Sequence, residues 1–501
     1  MTMESNSRHL SKSRFVAGWQ CPKLLWWKVN ESEAKELEPG VVLSDLFDQG
    51  RLVGERARSE WPHGLLVDGD HHDPTRVMRT QVAIGDGADV LFEACFDQDG
   101  VFLIVDVLER QGDAWTLIEV KSSSDVKPYH LPDVAIQVHV ARRAGLNIAR
   151  AEVMHLNREY RYPGGGVPLF VRADVTADVE AIVPEVPVKI AEQLAVLRGP
   201  LPEYPVGPQC NYHGECAFFA RCWPSDPDHI RHLWNVGPKK TIAWMEKGVH
   251  SMSAIPATEK LNDKQQRQMR AQREGKLIVE PGLAAAMRPA LEAKRLGFLD
   301  FETVARAIPA WNGLGPWGQA AAQFSYHERG PGGVMSHAEF LAEGPLDPAD
   351  PPDDPREPLA RAMLDATAGS DLVLMYTPFE KTQIKALAAH LPHLAGPLCE
   401  LMEKLWDLNP VVANNVYHAA FHGSFSLKDI LNPLVPDLSY SDLVIVDGKL
   451  ASVKIARLLF VSGRIPPAER DKTRHDLLEY CKRDTFATVR LVERLGELAS
   501  Q

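Results

Sequence analysis

Glu119 and Lys121 stand two residues apart at the end of an apolar run that starts at Trp115, and Asp106 lies in the apolar run before it. If both runs are β-strands, positions i and i+2 leave the same face of the sheet, so two carboxylates and an ammonium converge. Two acidic ligands can hold Mg²⁺ or Mn²⁺ against a phosphate, while the lysine orients or helps deprotonate a water and stabilises developing negative charge. Gln137 shares a helical face with Asp133 and Ala141 at i, i+4 spacing and is placed to reach the same group. About 180 residues later comes a second acidic strand signature, Asp300-Phe301-Glu302, again with its acids two apart. Near the chain end Tyr480 and Asp484 fall at i, i+4, so a phenol and a carboxylate can meet one ligand. Carboxylates that hold two divalent ions about 3.5–4 Å apart suit an in-line displacement at phosphorus.

The elements that must position these residues are legible as well. Residues 92–97, 101–109 and 115–121 read as three strands separated by short turns, the first of them Asp99-Gly100, a hairpin signal. Residues 131–145 read as a helix stopped by Gly145, and residues 178–198 as one long helix. Further on, 296–302, 320–327 and 371–376 read as strands, 379–390 and 476–498 as helices, and 344–358 as a Pro- and Asp-rich loop. Lys264, Arg267, Arg270, Arg273 and Lys276 recur every third residue, which suggests a basic stripe on one helix. The pattern predicts an α/β protein in three parts: a domain over 1–228, a helical linker over 229–290 with short helices suited to contact a nucleic-acid backbone, and a domain over 291–501.

Four cysteines bracket the first acidic group, Cys21 upstream and Cys210, Cys216 and Cys222 downstream. With no secretion signal in view, such a subset suits metal ligation better than disulfides, whereas Cys95, Cys399 and Cys481 read as ordinary buried thiols. The 501 residues are 45% hydrophobic and 24% charged, a globular composition long enough for two or three cores. No apolar run approaches the roughly 18 residues of a membrane span, so the expectation is a cytoplasmic protein without a membrane partner. A formal net charge of −12 excludes nucleic-acid coating through the overall field and leaves phosphate contacts to local patches.

At Asp106, Glu119-Val120-Lys121, Gln137 and the four cysteines, residues 15–224 resemble the PD-(D/E)xK nuclease superfamily, in its RecB-like branch. That resemblance implies a restriction-endonuclease-like fold and a 4Fe-4S cluster on Cys21, Cys210, Cys216 and Cys222; zinc is the alternative, because four thiolates also suit a tetrahedral site. The cysteine spacing C-x5-C-x5-C departs from the CxxC pair common in relatives. Where relatives place a histidine four residues after a glycine, Gly50 is followed by Gly54, so either Glu55 substitutes or the ligand is missing.

Asp300, Glu302, Tyr480 and Asp484 resemble the DnaQ-like, RNase H-fold 3′–5′ exonucleases of the DEDDy type over residues 296–498. There the resemblance makes Glu380, in Tyr376-Thr-Pro-Phe-Glu380, the candidate for a third acid, with Asp407 as rival. The order of both modules resembles a bacterial family of uncharacterised fusions. The resemblances imply a metal-dependent nuclease with two phosphodiester-cleaving sites, acting on DNA ends or single strands in repair, recombination or defence. Metal would be held by Asp106, Glu119, Asp300, Glu302, Glu380 and Asp484, with Lys121, Gln137 and Tyr480 completing the sites. RNA processing, or a binding scaffold with one or both sites inactive, are the alternatives. No Walker-type loop is visible, so translocation would need a helicase partner.

Overall fold

The computed structural model describes residues 9–70, 73–347 and 349–501. The chain is mixed α/β and divides into two compact units, Met1–Pro224 with Arg306–Trp317, and Ser225–Ala305 with Gly318–Gln501. The segment 229–290 is part of the second unit, where Ile230, Leu233, Val236, Trp244 and Met252 build a small core of their own.

The first unit is built on one seven-stranded sheet. Its strands are β1 (Leu10–Ser11), β2 (Leu65–Leu66), β3 (Val90–Gln98), β4 (Val101–Gln111), β5 (Ala114–Lys121), β6 (Ile148–Leu156) and β7 (Phe170–Asp174). They run β2-β3-β4-β5-β6-β7, with β1 pairing β4. Asp99 and Gly100 carry φ of 54° and 78°, the positive pair that a two-residue hairpin turn between β3 and β4 demands. The helices needed below are α1 (Lys12–Gln20), α2 (Pro22–Asn30), α3 (Val41–Arg58), α4 (Thr75–Gly85), α5 (His130–Arg143) and α6 (Val186–Arg198). α5 connects the parallel pair β5 and β6, and its apolar residues Val134, Val138 and Ala141 join Leu91, Leu103, Val105 and Leu117 of the sheet in the main core. The helix expected over 178–198 is interrupted: Thr176–Ile182 and Val186–Arg198 are separate, with a 3₁₀ turn at Val183–Glu185 that contains Pro184. Proline lacks the N–H that would continue the ladder.

In the second unit β8 (Ile278–Val279) pairs with β14 (Val416–Tyr417). The main sheet holds β9 (Leu296–Ala305), β10 (Gln319–Arg329), β11 (Met335–Leu341), β12 (Leu372–Met375) and β13 (Leu405–Asp407) in the order β11-β10-β9-β12-β13. The first three are antiparallel, whereas β12 and β13 run parallel to β9. β9 is buried along almost its whole length, as expected of a central strand covered on both faces. The helices are α7 (Asp263–Glu274), α8 (Arg356–Thr367), α9 (Phe379–His390), α10 (Leu427–Leu434), α11 (Gly448–Phe460) and α12 (Pro467–Ala499).

Two expectations are corrected here. The basic series on α7 is not one open stripe, because steps of three residues fall 60° short of a full turn and so walk around the helix. Arg267 is buried and donates to Glu280 Oε1 at 2.9 Å and to the Ala413 carbonyl at 2.8 Å, and Arg270 reaches the same carboxylate at 2.7 Å. Cys399, expected to be buried, is exposed.

Leu117 is fully buried between β5 and α5. Leu117→Ala is expected to cost about 2–5 kcal/mol, read as a lower urea midpoint for the first unit with no change in the second.

Candidate functional site

In the first unit the ladder between β4 and β5 is regular up to the pair Val107 and Ile118 and ends there. Asp106 Oδ2 then accepts the Val120 N–H at 2.8 Å, so a side chain takes the place of a backbone acceptor. At the same level the pairing of β3 with β4 is interrupted without a change of register: Phe92 faces Val107 and Ala94 faces Val105, while Glu93 between them sits at φ 58°. A left-handed non-glycine residue in a strand is a local strain that the surrounding pairs must hold in place.

Glu119 follows Ile118 on β5 and is almost wholly buried. Lys121 Nζ donates to Glu119 Oε1 and to Asp133 Oδ2, each at 2.6 Å. Gln137 Nε2 donates to Glu119 Oε2 at 2.8 Å. The structure thus brings Asp106, Glu119, Lys121 and Gln137 together, and adds two residues. Asp133, in the first turn of α5, is the second partner of Lys121, and Lys12, at the start of α1, donates to both Glu119 oxygens at 2.9 and 3.0 Å.

The electrostatics follow from those contacts. Burial pushes Glu119 up, but Lys12 and Lys121 outweigh it and hold the carboxyl well below the usual range. Asp106 is raised to about 7, by burial first and then by the Glu119 charge. Both lysines stay firmly protonated, because Glu119 and Asp133 more than offset the burial of each. Asp106, Glu119 and Lys121 line an open cleft of roughly 670 Å³ whose other wall is α3. Gly50, Gly54 and Glu55 line the same cleft, so Glu55 shares it with Asp106, Glu119 and Lys121.

Cys21, Cys216 and Cys222 pack on one small apolar cluster with Trp27 and Phe218. All four are free thiols, and Cys210 is near enough for its charge to act on Cys21, Cys216 and Cys222. Cys216 N–H donates to the Cys210 carbonyl at 2.8 Å, closing the loop between them. Burial pushes the Cys21 and Cys222 thiols up, and the Lys23 charge works against it at both.

In the second unit Asp300 and Glu302 leave one side of β9, opposite a register shift in β10 between Ala321 and Gln323. Bulges of this kind re-aim side chains next to functional sites. Asp484, from α12, completes a group with Asp300 and Glu302 in which one ligand atom from each lies within 4.8 Å of the others. Glu380, on the first turn of α9, is buried and close enough for its charge to act on Asp300. Asp407 at the end of β13 is outside the triad and acts on Glu380. Tyr480 is buried beside Asp484, and its hydroxyl accepts from Lys428 Nζ at 2.9 Å. Lys428, on α10, lies over the rings of Tyr440 and Tyr480. Gly448, the first residue of α11, is so near Glu302 that an added Cβ would stand 3.3 Å from its carboxylate.

A family model described as a domain of unknown function, DUF2779, matches residues 297–426. The match contains Asp300, Glu302 and Glu380 and stops short of Tyr480 and Asp484. No curated protein matches the chain.

The two acidic groups differ in how their charge is met. Asp300, Glu302 and Asp484 are all raised, by burial first; the neighbouring carboxylates then push Asp300 and Glu302 further. Glu380 is raised to about 8 by burial and by Asp407. Glu380 Oε2 and Asp484 Oδ1 are buried outside any hydrogen bond of ordinary geometry, while the Tyr440 and Tyr480 hydroxyls lie close enough to lower Asp484. Buried acceptors left open among converging acids fit a divalent cation. Lys12 and Lys428 carried no sequence signal, because neither is spaced from its partner by a strand or helix repeat.

Two outcomes are expected. The raised acids of the second group keep protons in the folded chain that the unfolded chain has lost, so stability in EDTA falls as pH rises from about 4 to about 8. Asp300→Asn is therefore expected to melt a few degrees above the wild type at pH 8 in EDTA, with the gain shrinking near pH 5 and reversing with Mn²⁺. Glu119 is depressed, so its pairing stabilises the fold above about pH 4.5 and is lost as pH falls below that range. Lys12→Met, which removes a hydrogen-bond donor from the buried Glu119 while Lys121 remains, is expected to cost about 1–3 kcal/mol at pH 7 and less at pH 4, by calorimetry.

Proposed function

We propose that the protein is a metal-dependent nuclease with two phosphodiester-cleaving sites, acting on nucleic-acid ends or single strands, with DNA as the substrate most in keeping with the first unit. The observation that carries the reading is the triad Asp300, Glu302 and Asp484, one half-buried and two buried carboxylates with ligand atoms within 4.8 Å of one another and Lys428 as the neighbouring cation. Glu380 is placed to complete a set of four acids. The mixed sheet, an antiparallel triple extended by two parallel strands, supports an RNase H-like framework. Mg²⁺ or Mn²⁺ on these carboxylates would supply the positive charge that a scissile phosphate and its leaving oxygen need. Tyr480, held by Lys428, keeps its proton and offers a hydroxyl beside Asp484.

In the first unit Lys121 would place an ammonium next to the phosphate, with Asp133 and Glu119 fixing its direction. Asp106 is the acid of that group in no ion pair among the described residues, so it would lead in holding a cation. The convergence of Asp106, Glu119, Lys121 and Gln137 along β4, β5 and α5 supports a PD-(D/E)xK nuclease core. Cys21, Cys210, Cys216 and Cys222 would hold a 4Fe-4S cluster. Zinc is the competing group, since four thiolates also suit a tetrahedral site.

One observation favours a second reading for the first unit. Both Glu119 oxygens are occupied by Lys12, Lys121 and Gln137, which suits a unit that binds nucleic acid without cutting it. The test is cleavage of end-labelled single- and double-stranded DNA and RNA with Mg²⁺ or Mn²⁺. Asp300→Ala is expected to abolish one product ladder and Lys121→Ala another, each by a factor of 100 or more. Loss of all cleavage with Asp300→Ala alone would make the first unit a binding module, and wild type that cuts nothing would overturn the nuclease reading.

A further inference from the structure

Tyr129, Tyr212 and His213 lie beside the first acid–lysine group and take no part in the chemistry described for it. Tyr129 immediately precedes α5, the helix that carries Asp133 and Gln137. Tyr212 and His213 belong to the loop between Cys210 and Cys216. The ring centroid of His213 is 4.3 Å from that of Tyr129 and 5.1 Å from that of Tyr212, and Tyr129 and Tyr212 are 6.0 Å apart. Three rings from two distant segments therefore make one aromatic group.

Its faces are not sealed. His213 is exposed, and Tyr129 and Tyr212 are half-buried. The turn that presents them depends on Gly214, whose φ of 95° would be strained for any other residue, and the loop is closed by the Cys216 to Cys210 backbone bond. The charges acting on His213 come from Asp133, Lys121 and Lys28, and those on the adjoining His130 include Lys121, Glu119 and Lys127. Open aromatic faces thus sit next to three lysines and the candidate cleavage group.

We propose that Tyr129, Tyr212 and His213 form a stacking subsite for an unpaired nucleobase, so that the first unit takes single-stranded ends, gripped by a loop that its cysteines hold in shape. The inference rests on the nucleic-acid reading of this unit. The chemistry matches: aromatic rings accept any base on its π-face, and lysines alongside meet the backbone phosphates. Within a duplex the faces of every base except the last pair are already stacked, so an internal base pair has nothing to offer such a subsite. The tyrosine hydroxyls and imidazole nitrogens give the rim polar edges, which suits a base better than an aliphatic side chain.

The test uses the full chain in EDTA, which prevents cleavage, with a short single strand carrying 2-aminopurine at its end and a blunt duplex of the same sequence. Tyr212→Ala/His213→Ala is expected to weaken single-strand binding about tenfold, to relieve the quenching of 2-aminopurine, and to leave duplex binding unchanged. Tyr212→Phe/His213→Tyr, which keeps the rings, is expected to restore both signals. His213→Ala alone, at an exposed position, serves if the double variant loses its visible absorbance or melts early, and is expected to move the same way by a smaller factor. Variants that bind and quench like the wild type would overturn the stacking subsite alone. Wild type that binds neither strand nor duplex would overturn it together with the nucleic-acid reading of the unit.

Discussion

A carboxylate removed from water must find positive charge or hold its proton, and both acidic groups of this chain are organised by how they meet that demand. In the first unit the answer is covalent to the protein: Lys12 and Lys121 bracket Glu119, Asp133 steadies Lys121, and Gln137 fills the remaining oxygen. In the second, Asp300, Glu302, Asp484 and Glu380 converge with Lys428 as the nearby cation, and the remaining negative charge is met by protons. The first group is therefore close to self-neutral, whereas the second is short of positive charge.

The backbone produces these groups through interruptions of otherwise regular sheets. β4 and β5 part after one last pair, which frees Asp106 to cap Val120, and Glu93 kinks β3 beside it. β10 shifts register opposite Glu302. Each irregularity turns a side chain that regular pleating would have left in line with its neighbours, and each is surrounded by fully buried residues such as Leu117, Ile118 and Phe324 that make the distortion affordable. Helices then bring the remaining groups, α5 for Asp133 and Gln137, α9 for Glu380 and α12 for Tyr480 and Asp484.

The cysteine loop shows the same division of labour at larger scale. Cys21 stands between α1 and α2, the other three cysteines lie near the end of the unit, and what they enclose includes the aromatic rings that approach α5. A group held by those sulfurs would tie the ends of the unit to the neighbourhood of its acids.

The Glu119 and Lys121 pair on β5, the acids two apart on β9, the Tyr480 and Asp484 pair on α12, and the Asp133 and Gln137 face of α5 were legible in the sequence, because strand and helix repeats are set by local backbone sterics that spacing alone reports. The extents of α9 and of the hairpin from β3 to β4 were legible for the same reason. Lys12 was not, since it meets Glu119 from 107 residues away, and neither was Lys428, which meets Tyr480 from 52. The basic series on α7 misled, because sequence shows charge but not which arginine is buried against Glu280. Residue types and short-range periodicity determined which acids could act together. Which cations answer them, where the sheets break register, and which aromatic rings stand beside them were decided only by tertiary packing, because those contacts form between surfaces whose pairing no local spacing encodes.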